Sequence, residues 1–123
     1  MIAGHGLMAT GLALLALPPP PGLPAAGWLS FAAALSGVGL GMAAPAGNNA
    51  SMHLAKQEIA AVAGLRGMFR QTGGIVAVSL TTAAVSLSSR PGLAQAVAFA
   101  VSAALLAATL PLIVAMPDHR GRW

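Results

Sequence analysis

No aspartate, glutamate, lysine or arginine occurs between Met1 and Ala55. A small soluble domain leaves a large share of its surface in water and needs charged side chains to cover it. Nothing in this stretch could do so. Over all 123 residues only 7% are charged, against about 25% in soluble domains. Hydrophobic residues make up 57%, with a mean hydropathy of +0.81. These values exclude a soluble globular fold, and apolar content this high excludes intrinsic disorder. What remains is the composition of a membrane protein.

Breakers and charges divide the chain. Pro18-Pro19-Pro20-Pro21-Gly22 closes a first apolar segment over 1–17, because proline removes a helix donor and clashes with the preceding turn. A second runs over 24–47 and a third over 71–88, closed by Ser89-Arg90-Pro91-Gly92. The fourth covers 93–116, before a tail over 117–123. A bilayer core needs roughly 20 helical residues, so the spacing predicts an all-α, polytopic protein with about four transmembrane helices. The segments lack the alternation of membrane strands.

Residue size separates the segments further. Gly37, Gly39 and Gly41, followed by Pro45, mark the second as a packing helix, because small residues let backbones approach. Gly73 and Gly74 are packing candidates in the third. The fourth has large aliphatics and no glycine between Gly92 and Gly121, which suits a lipid-facing helix.

The mixed stretch over 48–70 predicts a cytoplasmic amphipathic connector. Ile59, Val62, Leu65 and Phe69 recur at helical spacing. Arg66 and Arg70 are expected on another face, snorkelling towards headgroups or neighbouring carboxylates. Lys56, Arg66, Arg70, Arg120 and Arg122 fall on one side of a four-span topology, and only Arg90 on the other. That bias predicts cytoplasmic anchoring by those five, with both termini cytoplasmic in a multi-pass protein of the cell membrane. Without a basic n-region the first segment is not read as a signal peptide. A helix starting at residue 1 reads as part of a longer chain.

Chemistry-bearing residues are few. With no cysteine there is no disulfide framework or thiolate metal site. His5, His53 and His119 are scattered, and the two carboxylates, Glu58 and Asp118, flank different helices. No catalytic, metal or cofactor site is expected, and the chain is not read as an enzyme. Six basic residues without a run, and only 4% aromatics, argue against nucleic-acid binding. Gly39-Leu40-Gly41-Met42-Ala43-Ala44 matches a dinucleotide fingerprint formally, but it lies inside an apolar helix instead of following a strand. The Asn49-Ala50-Ser51 sequon falls on the side expected to be cytoplasmic.

Two elements carry a resemblance. Gly37-x-Gly39-x-Gly41-x-x-x-Pro45, and Ala63-Gly64-Leu65 leading to Arg70-Gln71-x-Gly73-Gly74, resemble the drug:proton antiporter branch of the major facilitator superfamily. The resemblance covers nearly the whole chain as the last four helices of such a transporter, a family built from two six-helix halves. It implies part of a secondary transporter for proton-coupled efflux of small molecules or drugs, inactive in isolation. It places the second and third helices near the substrate path, with Asn48, Asn49 and Gln71 as candidate polar contacts. The implied partners are the lipid bilayer, the remaining helices or another membrane subunit, and an unidentified small-molecule substrate. Two other readings fit the length: a complete four-helix dimeric exporter, lacking the first-helix carboxylate its mechanism needs, and a non-transporting assembly subunit.

Overall fold

The computed structural model describes residues 2–54 and 58–115, without the side chains of 50–54. The described chain is all-helical: α1 (Ile2–Ala16), α2 (Ala25–Leu54), α3 (Ile59–Leu87) and α4 (Pro91–Val114). Two are long and apolar enough to cross a membrane, α2 over Ala25–Asn49 and α4 over its full length. Helix α1 is apolar but has 15 residues, about 22 Å at the helical rise, short of a roughly 30 Å hydrocarbon core.

The turn chemistry follows the sequence. Leu23 N–H donates to the Pro20 carbonyl at 3.2 Å, and Gly22 takes the positive φ of 92° inside that turn. The Trp28 indole N–H donates to the Leu14 and Leu17 carbonyls, at 3.2 and 3.3 Å. It thereby caps the end of α1, adding a second donor to the Leu14 carbonyl, which also accepts from Leu17 N–H, and supplying one to the Leu17 carbonyl. Ser88 Oγ accepts from Arg90 N–H at 3.0 Å, and Pro91 begins α4, where a missing N–H costs nothing.

Two expected boundaries move. Helix α2 continues through Pro45 to Leu54 instead of ending near 47. The stretch over 48–70 is not a separate element: its first residues finish α2, and Ile59 starts a single helix that continues to Leu87. The glycines within α3 lower helix propensity without breaking the ladder, and no proline lies in that span.

Packing is uneven. Helix α1 lies at the centre, against α2 on one side and α4 on the other; α3 leans mainly on α4 and meets α2 only slightly. Glycine and alanine set the α1–α2 distance. A Cβ on Gly4 would stand 2.8 Å from the Ala43 nitrogen, one on Gly39 would stand 2.7 Å from the Gly4 carbonyl, and one on Gly11 would stand 2.8 Å from the Ala32 carbonyl. These registers make the two helices antiparallel. Ala32, Ser36, Gly39 and Ala43 recur at four, three and four residues, one face of α2. Ser36 turns its hydroxyl back to the Ala32 carbonyl at 3.1 Å, so the seam is crossed by no hydroxyl left without an acceptor.

The core is correspondingly small-residued: Ala32, Ala43 and Ala103 are the buried apolar side chains among the described residues. On α4, Phe99, Leu106, Leu110 and Ile113 are half-buried, while Leu93, Val97, Val101, Leu105 and Leu112 point away from the other helices. Most of the large aliphatic surface therefore lies outside the bundle, the reverse of a soluble helical domain.

Candidate functional site

Helices α2 and α3 come together at the last turns of α2. There Asn48 and the α3 residues Ile59, Val62, Ala63, Arg66, Gly67 and Arg70 enclose a groove of about 170 Å³. Helical spacing explains the α3 wall: 59, 62, 66 and 70 follow at three, four and four residues and share a face. Arg66 and Arg70 thus project beside Ile59 and Val62. The expected separation of an apolar face from an arginine face does not hold for this pair; only Leu65 and Phe69 lie off the groove, exposed.

Gly47 makes the approach possible. An ideal Cβ there would stand 2.8 Å from Arg66 Nη2, so the guanidinium rests over a position without a side chain. The described lining residues include two cations, one amide and no carboxylate. Such a wall favours an anionic group, because a guanidinium offers paired N–H donors in a fixed plane.

Three of the residues singled out in the sequence, Asn48, Arg66 and Arg70, meet in this groove. Asn49 and Gln71 are exposed and do not line it. Of the glycines, Gly39 is pressed against α1, whereas Gly37, Gly41, Gly73 and Gly74 have nothing within 4 Å where a side chain would stand. Pro45 is exposed on α2. Lys56, Arg120 and Arg122 lie outside the described residues.

The sequence reading passed over Gly4, Gly11 and Gly47. Gly4 and Gly11 stand seven apart, a spacing that repeats one helix face, and it could have paired them with the small stripe of α2. Gly47 gives no such signal, since its neighbour comes from another helix. Among the described residues no group of three histidine, cysteine, aspartate or glutamate side chains could hold a metal.

Comparison of the chain with protein-family models, with curated proteins and with solved structures found no match.

Proposed function

We propose that this chain supplies four membrane helices, α1 a short one, of a facilitator-type secondary transporter in the cell membrane, with both termini and the α2–α3 junction on the cytoplasmic side. The reading rests on the resemblance of Gly37–Pro45 and Ala63–Gly74 to the drug:proton antiporters. The observation that carries it is the two-faced build of α2. Ala32, Ser36, Gly39 and Ala43 pack on α1, while Ala34, Gly37, Gly41, Pro45 and Asn48, on the opposite face, stand exposed. A helix small on both faces suits a position between two neighbours, and in this chain α1 packs along one face while α3 meets the other only at its last turns.

Helix α3 supports the same reading. Every residue from Gln71 to Leu80 is exposed, although this is where Gly73 and Gly74 would admit a close partner. In the proposed assembly the missing helices cover the open face of α2 and approach α3 at Gly73 and Gly74, and two bundles rock about a midplane site to expose a small molecule alternately to either side. Glu58 and Asp118 both flank the apolar segments. Proton coupling usually relies on an ionisable group within the membrane, so the coupling residues belong to the rest of the transporter and the isolated chain moves no substrate.

The open faces of α2 and α3 would equally seat an unrelated membrane protein, which favours a non-transporting subunit as the second reading. A tag placed after Trp123 and detected in native membranes tests the pair. A band at least about threefold larger than this chain, as a two-half bundle requires, supports the transporter reading. A band near 12.1 kDa that co-purifies with one larger partner overturns it in favour of the subunit.

A further inference from the structure

The groove at the α2–α3 junction has the chemistry of a phosphate site, and we propose that it holds the headgroup of an anionic phospholipid. Arg66 and Arg70 stand one helical turn apart on its α3 wall, Asn48 lies across from them, and Ile59, Val62 and Ala63 provide an apolar flank. Like charges at this spacing repel each other, and an anion seated between them converts that repulsion into two favourable contacts. Guanidinium groups suit phosphate oxygens by geometry as well as charge.

The site has room, and its Arg66 side chain reaches across to α2. Its volume of about 170 Å³ is several times the roughly 30 Å³ share of one liquid water. Gly47 lets the Arg66 guanidinium lie close over the α2 backbone, where any side chain would displace it. One arginine is thereby set against a second helix instead of standing free on a helix surface.

The source of the phosphate follows from what continues beyond the groove. Past Arg70, the face of α3 that carries 59, 62, 66 and 70 continues through Ala77, Leu80 and Ala84, all exposed, so a lipid with its phosphate on the arginines has apolar surface for its chains. A soluble phosphate would use the arginines and ignore that surface. The proposal requires this end of α3 to lie at a membrane surface, but it does not require transport, and its test involves no transported substrate.

The test uses the full chain in an uncharged detergent, titrated with short-chain phosphatidylglycerol, the matching phosphatidylcholine, or inorganic phosphate. Binding is read by calorimetry, and retained lipid by native mass spectrometry. Phosphatidylglycerol is expected to bind about tenfold more tightly than phosphatidylcholine, or better, as two basic contacts allow. The double variant Arg66→Gln/Arg70→Gln should abolish the preference. Gly47→Leu should weaken it while leaving every charge in place, and Arg66→Lys/Arg70→Lys should retain part of it. Circular dichroism checks that each variant is helical; should the glutamine pair misfold, Gly47→Leu and the lysine pair carry the test. Saturable inorganic phosphate binding without lipid preference, lost in the variants, would overturn the lipid as occupant and leave a site for soluble phosphate. Equal phosphatidylglycerol binding by wild type and all folded variants would overturn the site itself.

Discussion

Helices α2 and α3 are both long and glycine-bearing, yet they use glycine to opposite effect. On α2, Gly39 is enclosed by α1, and with Gly4 and Gly11 it brings two backbones to a separation that no side chain would tolerate. On α3, Gly64, Gly67, Gly73 and Gly74 all face open space. The contrast does not come from glycine content. It comes from whether a second helix carries small residues in the complementary register, as α1 does for α2 and no helix does for the middle of α3. Within a membrane this matters more than in water, because lipid is as apolar as leucine and close packing has to supply the attraction.

The largest effect expected from breaking this contrast is at the seam. Gly39→Leu or Gly4→Leu should cost about 3 kcal/mol through overpacking against backbone, seen as loss of helicity at lower denaturant in a detergent titration. Gly37→Leu or Gly41→Leu, where the space is open, should cost nothing and gain up to about 0.8 kcal/mol from helix propensity. Similar losses at both faces would remove the distinction on which the proposed position of α2 depends.

A smaller effect is expected at the helix hairpin. Trp28→Phe keeps an aromatic ring and removes the donor that Leu14 and Leu17 share, which should cost about 1 kcal/mol. The same titration measures it, and an unchanged midpoint would show that water replaces the indole at no loss.

The smallest effect has the opposite sign. Gly73→Ala and Gly74→Ala should each stabilise the isolated chain by up to about 0.8 kcal/mol, because alanine is the better helix former and the space beside each glycine is open. Placed in a longer transporter, leucine at the same positions should block assembly, scored as loss of the intact complex on native gels. Assembly unchanged by Gly73→Leu would count against a packing role for that pair.

Much of the helix layout was legible because its breaks are chemical. Four consecutive prolines and the Ser89–Gly92 turn divide the chain wherever it is placed. Helix α2 outran its expected end at 47 because neither a proline such as Pro45, which interrupts one hydrogen bond, nor the polar Asn48 and Asn49 ends a helix by itself. The 48–70 connector misled because polarity changes there while helical geometry does not. At the groove, Asn48, Arg66 and Arg70 stood out as polar residues beside apolar runs. Gly47 and the partners of Gly4 and Gly11 did not, because their meaning depends on which helix lies opposite, and one sequence does not state that.

Pro45 also divides α2 mechanically. It has no N–H to offer, so the Gly41 carbonyl loses its usual donor four residues on, two residues after Ala43 makes the last buried contact with α1. The clamped part of the helix ends where its backbone is weakest. Beyond that joint lie Gly47 and Asn48, one wall of the arginine groove. One missing hydrogen bond therefore separates two uses of a single helix, a backbone-to-backbone seam on its N-terminal side and a groove wall on its C-terminal side.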